Sequence, residues 1–338
     1  LCTNTVFAAV CASGQYNDNG VCKTCDIGYF CSNDTKQKCE PGLITSVSGA
    51  SDVSQCEEPE FSVTTTELTA GTEFSFQMSA KGEFVVDWGD GTAPQTIIRT
   101  NTTNTTYSHT YATAGTYTIG LSGQATGYSS STVAAISFSK NVDDTYVCQP
   151  ISGIFGSLGA VFGTYGSSQP VFFATFRGCS GLTGSIPENL FAGIKGAPAA
   201  SMFGSLFESC SGLTGSIPEN LFAGIKGAPA YAMFDNTFFR CSGLTGSIPE
   251  NLFKGISGAP ADWMFCRTFS GCIGLTGLIP ENLFAGVKGA PARLMFIETF
   301  QNCSGLTGSI PENLFAGING APAASMFGSL FESCSGLT

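Results

Sequence analysis

The chain has 338 residues, with 43 glycines, 28 phenylalanines and 15 cysteines, and its side chains are 43% hydrophobic and only 12% charged. That length admits two or three domains, and that mixture suits an ordered, loop-rich fold and excludes a disordered tail. The net charge of −11 divides into 15 acidic and 6 basic residues over 1–150 against 10 and 8 over 151–338, which leaves no basic footprint for nucleic acid or an anionic membrane face.

Seven of the cysteines lie in the first 56 residues, a density that makes sense in an oxidising compartment. The chain opens on Leu1, and no run approaches the ~18 apolar residues of a membrane span, so the expectation is a secreted or cell-surface protein whose signal peptide has been removed. No direct membrane insertion is expected of this segment, and any anchor would lie outside it. Sequons at Asn33, Asn101, Asn104 and Asn302 are candidate glycosylation sites.

Residues 1–58 space Cys2, Cys11, Cys22, Cys25, Cys31, Cys39 and Cys56 among Gly, Asn, Asp and Ser with little hydrophobic periodicity. Disulfides must replace a core there, and an odd count leaves one cysteine free or paired elsewhere. Cys22-Lys-Thr-Cys25 could be a redox or zinc pair, but no βαβ pattern surrounds it and no His lies nearby, so a plain disulfide framework is the expected reading. The stretch from Gly28-Tyr29-Phe30-Cys31 through Cys39-Glu40-Pro41-Gly42 to Cys56 resembles the cysteine-rich repeats of tumour-necrosis-factor-receptor and ephrin-receptor type.

Over 59–147 the pattern changes to period two. Phe74, Phe76 and Met78 alternate, as do Tyr117, Ile119 and Leu121, and Glu83 to Trp88 runs into an Asp90-Gly91 turn, which reads as antiparallel strands of a β-sandwich. Asp87-Trp88-Gly89-Asp90-Gly91-Thr92, then Ser108-His109-Thr110-Tyr111 and Ala114-Gly115-Thr116-Tyr117, resemble a PKD domain, an immunoglobulin-like extracellular module. Asp87 and Asp90 could hold calcium, although a glycine-flanked Asp is more often a turn former that bonds its own backbone. His109 is the only histidine, so no Ser-His-Asp or Cys-His catalytic arrangement beyond it can be assembled, and the resemblance makes it structural.

From Cys148 onward one 31-residue period governs the chain, marked by Cys148, Cys179, Cys210, Cys241, Cys272, Cys303 and Cys334. Self-similarity at this period implies a solenoid. Within the unit, Leu182 to Ile186 reads as a short strand, Pro187 opens a brief helix to Ile194, and Pro198 opens a longer one whose Ala199, Met202, Phe203, Leu206 and Phe207 form one apolar face. Glu188, Glu219, Glu250, Glu281 and Glu312 each follow a helix-opening proline, where the helix dipole accounts for them, and identical repeats offer no acid and base of different environment. The string Leu-Thr-Gly-Ser-Ile-Pro is similar to plant-type leucine-rich repeats, and the Phe-x-x-Cys-x-x-Leu-Thr step is closer to the BspA-like leucine-rich repeats of microbial surface proteins, a resemblance that implies adhesion or surface assembly.

Differences between units cluster at 231, 232, 235, 236, 239 and 240 and their equivalents one and two units on. These positions are expected to face outward as a ridge carrying Tyr231, Phe239, Arg240, Trp263, Cys266, Arg267, Arg293, Leu294 and Ile297, aromatic and arginine types that anchor interfaces. The in-phase cysteines are expected to stay as buried free thiols, with Cys266 on the outer face as the candidate for an intermolecular bond. Unit 148–178 lacks the Pro-Glu-Asn-Leu-Phe element, as a capping repeat does, whereas the end at Thr338 leaves an open apolar edge for continuation or another copy.

The expected fold is therefore multidomain: a disulfide-rich head, an antiparallel β-sandwich and an α/β leucine-rich-repeat solenoid over 148–338. The expected function is a non-enzymatic extracellular structural protein, a subunit of a surface fibre or sheath that self-associates into a homopolymer and needs no cofactor. The alternative is a monomeric adhesin binding a cell-surface protein or glycan.

Overall fold

The computed structural model describes residues 10–40, 43–45, 48–129, 132–143 and 145–338. In the head, strands β1 (Gln15–Asp18) and β2 (Val21–Thr24) form one hairpin and β3 (Tyr29–Ser32) and β4 (Thr35–Lys38) a second. Both turns need two residues at positive φ, and Asn19-Gly20 (54°, 89°) and Asn33-Asp34 (51°, 64°) supply them. Disulfides Cys11–Cys22, Cys25–Cys31 and Cys39–Cys56 staple the hairpins in place of a hydrophobic core. Cys22 and Cys25 thus belong to different bridges. Cys2 lies outside the described residues.

The next region is two antiparallel sheets. One runs in the order β14-β5-β10-β7-β8, with β5 (Phe61–Thr65), β7 (Lys81–Asp87), β8 (Gln95–Arg99), β10 (Thr118–Gly127) and β14 (Ile151–Gly156). The other runs β11-β6-β9, with β6 (Glu73–Met78), β9 (Thr105–Thr110) and β11 (Ile136–Ser137). The alternation of Phe74, Phe76 and Met78 faces all three inward at 0–3% exposure, and Phe76 meets Trp88 at 5.8 Å between ring centres. Gly123 is needed where β10 crosses β7, because a Cβ there would lie 2.2 Å from the Glu83 carbonyl oxygen. A hairpin of β12 (Ser139–Val142) and β13 (Thr145–Cys148) then leads to β14, which the 31-residue period counts as part of its first unit but which pairs with β5 of the sandwich. The sheet and the repeats therefore share one continuous core running from Phe61 to Cys334.

The repeats depart from the expected α/β units. Beyond α1 (Leu158–Val161) the chain forms neither helix nor regular strand. Along 199–210 alternate amides do two different things. Met202, Gly204, Leu206, Glu208 and Cys210 donate three residues back within the segment, whereas Ser201, Phe203, Ser205, Phe207 and Ser209 donate to carbonyls 30 residues ahead in the next unit, Phe203 to Met233 at 2.9 Å being typical. Every fourth residue takes positive φ (Ser201 53°, Ser205 51°, Ser209 62°), which re-aims the chain for the next tight turn. The brief helix expected at 187–194 is the same device, with Leu190, Ala192 and Ile194 each donating three residues back. The strand expected at 182–186 reduces to single parallel bridges such as Gly246 with Leu275. The physical reason is that a neighbouring unit offers a carbonyl to every second amide, so those amides need no acceptor four residues back.

Packing follows the same repeat. Phe172, Phe203, Phe234, Phe265, Phe296 and Phe327 form a column with centres 5.5–6.2 Å apart, and Phe176 to Phe331 form another at 5.5–6.0 Å. A third column, Phe191 to Phe315, wedges between successive rings of the first, as Phe222 does at 4.5 Å from Phe203 and 5.0 Å from Phe234. Gly224 keeps adjacent units close, since a Cβ would sit 1.9 Å from the Ile194 carbonyl oxygen.

Candidate functional site

The Asp87–Thr92 turn is consumed by its own backbone. Asp87 Oδ1 accepts the Gly89 amide at 3.0 Å, and Asp90 Oδ1 accepts the Thr92 amide at 3.0 Å and hydroxyl at 2.6 Å. His109 Nε2 lies 2.7 Å from Asp90 Oδ2, its ring stacked on Trp88 at 5.2 Å and edge-on to Tyr111 at 4.9 Å. Burial pushes the Asp90 carboxyl upward, but the bonds from Thr92 and His109 outweigh it and hold the group below the ordinary carboxylate range. The cluster fastens the β7–β8 turn to β9, and Tyr111 completes it by donating its hydroxyl to the Trp88 carbonyl at 2.8 Å.

On the repeats, each face is built by a column of equivalent positions. The Pro-Glu pairs Pro218-Glu219, Pro249-Glu250 and Pro280-Glu281, with Ile217, Ile248 and Ile279, line a trough of about 900 Å³. Its glutamates are not explained by a helix dipole, because no helix is there. Instead Asn251 Nδ2 donates to Glu219 Oε1 at 2.6 Å, Asn282 to Glu250 at 3.3 Å and Asn313 to Glu281 at 2.8 Å, each tying one unit to the preceding one. Sequence reasoning missed this pairing, and the invariant Glu-Asn dipeptide at fixed period was the signal for it.

The positions that differ between units fall in columns at four-residue spacing. Tyr231 is 53% exposed, and Arg240 and Arg293 are exposed; Phe239, Trp263, Arg267, Leu294 and Ile297 are half-buried. The arginines have local partners: Arg267 Nε donates to Glu298 at 2.6 Å, Arg293 lies 3.7 Å from Asp262, and Arg240 covers the Phe239 ring at 4.8 Å. Trp263 Nε1 is buried without an acceptor. Two expectations are corrected here. Ala232, read as outward-facing, is buried, and Cys266, read as the exposed thiol for an intermolecular bond, is 1% exposed beside Asp235. Backbone that turns every four residues sinks the second residue of each outward pair between neighbouring units, which a helical projection does not reveal.

The column of in-phase cysteines also differs from expectation at its start. Cys148 and Cys179 are bonded, with Cα atoms 5.0 Å apart, because Cys148 stands on a strand and projects toward its neighbour. Cys210, Cys241, Cys272, Cys303 and Cys334 are free, and each directs its thiol to a phenylalanine carbonyl 34 residues earlier at 2.8–3.0 Å. Burial pushes the thiols of Cys210, Cys241, Cys272 and Cys303 well up. The four sequon asparagines, Asn33, Asn101, Asn104 and Asn302, are all exposed.

Among the described residues no helix is long and apolar enough to cross a membrane, and no group of three or more His, Cys, Asp or Glu side chains is placed to hold a metal ion. Compared with protein-family models, with curated proteins and with solved structures, the chain matches none of them.

Proposed function

We propose that this chain is a non-enzymatic extracellular structural protein, a subunit of a surface fibre or sheath that associates through the faces of its repeats. In this reading residues 59–147 are a PKD-like module and 148–338 a solenoid of leucine-rich-repeat kind, with a head of cysteine-rich receptor type. One observation carries it: the recurring polar groups of the repeats are spent on joining unit to unit. The alternate amides, the Glu–Asn pairs and the Thr237, Thr268 and Thr299 hydroxyls, each on a phenylalanine carbonyl at 2.9 Å, all bond across a unit boundary. Groups so engaged build a rod and leave no acid, base or nucleophile poised for a substrate. Four disulfides fit the oxidising compartment that such a role requires.

The ridge of the three middle units is the contact face in this proposal, since Tyr231, Arg240 and Arg293 stand exposed there, whereas equivalent positions in the flanking units are small residues such as Ala200 and Ala324. The same contrast favours a second reading, a monomeric adhesin whose ridge takes an external protein or glycan. Sedimentation velocity of the whole chain over a wide concentration range separates the two. Reversible association that the Tyr231→Ser and Arg293→Ser variants weaken is the expected result; a monomer at every concentration would remove the structural reading and leave the adhesin.

A further inference from the structure

Four successive units, 179–302, each present one glutamate and one lysine that no opposite charge meets. The arginines of the repeats are engaged locally, Arg177 with Glu208, Arg267 with Glu298 and Arg293 with Asp262. Glu188, Glu219, Glu250 and Glu281, by contrast, stand exposed in one column and Lys195, Lys226 and Lys288 in another, and among the described residues none of them has an ion-pair partner. The third unit carries Ser257 where its neighbours carry Lys226 and Lys288, but it gains Lys254 where they have Ala223 and Ala285. The lysine moves by three residues and the count stays at one per unit.

The two columns border one flank. Segment 187–195 turns by bonds from Leu190, Ala192 and Ile194 to carbonyls three residues back, which buries Leu190, Phe191 and Ile194 and leaves Glu188, Asn189, Ala192 and Lys195 outward. Between Asn189 and Lys195 the only outward side chain is that of Ala192, small enough for a second body to come close. The glutamates line the trough of about 900 Å³, and no lysine or arginine lines it with them. An asparagine of the next unit donates to one oxygen of Glu219, Glu250 and Glu281, which fixes each carboxylate and leaves its other oxygen without a partner among the described residues. Parallel bridges such as Gly246 with Leu275 and Gly258 with Val287 join successive units along both columns. Like charges therefore recur about every 4.8 Å and repel along each column, and a facing row of opposite sign at the same spacing relieves that repulsion.

We infer that this flank docks on the same flank of a second copy of the chain, the lysines of each copy entering the glutamate trough of the other. The occupant follows from charge complementarity. A two-fold axis parallel to the repeats sets the lysine column of one copy opposite the glutamate column of the other and the reverse, and the periods match because both columns come from the same unit. The inference rests on the structural reading above and adds a second face to it, since no ridge residue lines the trough. One self-complementary face closes a pair, whereas two allow an open array such as a sheath.

The test is sedimentation velocity of the whole chain with two variants, one carrying Glu219→Lys, Glu250→Lys and Glu281→Lys, the other Lys226→Glu, Lys254→Glu and Lys288→Glu. All six positions are exposed, and the salt dependence of the natural chain serves as a measurement that needs no variant. Association of the natural chain should weaken by about tenfold or more when salt is raised from about 0.05 to 0.5 M. Each variant alone should associate about tenfold less than the natural chain, and an equimolar mixture should regain the loss, although both variants remain net negative. Variants that associate as the natural chain does, or a mixture no stronger than either alone, would overturn the inference while ridge-dependent association spared the structural proposal. A monomer at every concentration and salt would remove both, so the two failures are distinguishable. Binding of added oligolysine without salt-dependent self-association would overturn the inference in favour of an external basic partner.

Discussion

Phe234 is held by four rings, Phe203 and Phe265 of its own column at 5.7 and 5.5 Å and Phe222 and Phe253 wedged beside it at 5.0 and 4.6 Å. Removing it should leave a cavity that rigid neighbours cannot fill. Phe234→Ala is therefore expected to lower stability by about 3–5 kcal/mol in denaturant titration, and Phe327→Ala at the half-covered end by much less; equal losses would mean that ring packing does not hold the units. Asp235 is the titrating group to watch. Burial raises its carboxyl to about 6, opposed by bonding from Cys266 and the charge of Arg267. A carboxyl raised on folding costs nothing below its unfolded value and weakens the fold as pH climbs through the folded value, so stability should fall between about pH 4 and 6. Asp235→Asn should flatten that profile and raise stability at pH 7; an unchanged profile would show that the carboxyl is solvated. The free thiols make a third residue-scale case. A thiolate is the species that alkylates, so native protein at pH 8 should leave Cys210, Cys241 and Cys272 unmodified, as mass spectrometry of digested protein would show. Prompt labelling of those three would mean that the units open.

Turns of four residues, rather than helices of 3.6 per turn, are the element that the repeat is made from. The clue was present in the sequence: Ala199, Phe203 and Phe207 recur at a strict spacing of four, as do Met202, Leu206 and Cys210, whereas on a helix each such step would drift by about 40°. Periodicity was legible, but a stripe at i, i+3 and i+4 suits both devices over two turns, and the deciding fact, an acceptor in the next unit for every second amide, exists only in three dimensions. The strands of the sandwich were legible for the opposite reason. Alternation at period two in Phe74, Phe76 and Met78 has one structural meaning, and the resulting register pairs Phe76 with Tyr107 as an antiparallel sheet requires. Side-chain placement on the ridge was half legible: Tyr231 and Arg293 are outward as expected, while Cys266 and Ala232 sink because successive turns stack closely. The left-handed positions give the element its own test. Arg240 sits at φ 59° while its amide bonds Ser270. A β-branched residue tolerates that conformation poorly, so Arg240→Val should cost about 1–2 kcal/mol and Arg240→Gly less; a harmless valine would show that the turn geometry is not imposed.

Across the whole molecule, three stapling strategies follow one another along the chain: disulfides where the head has no core, two facing sheets where aromatic residues alternate, and unit-to-unit hydrogen bonds where the sequence repeats. The sandwich does more than precede the repeats. Strand β14 enters its sheet, and Ala135, Phe138 and Ser139 satisfy the carbonyl edge of the first unit, so the repeats grow from a finished surface in one direction. In the proposed reading, repeats so anchored, with a variable aromatic ridge along their middle units, make contacts through that ridge. The burial of Cys266 argues against an intermolecular disulfide at that residue, so the assembly proposed above is expected to be independent of reductant at the ridge. Negative-stain electron microscopy of the protein from its native source, without and then with mild reductant, tests this most directly. Regular filaments that survive mild reductant are the predicted result, and isolated particles under both conditions would contradict the proposal that this chain is a structural subunit.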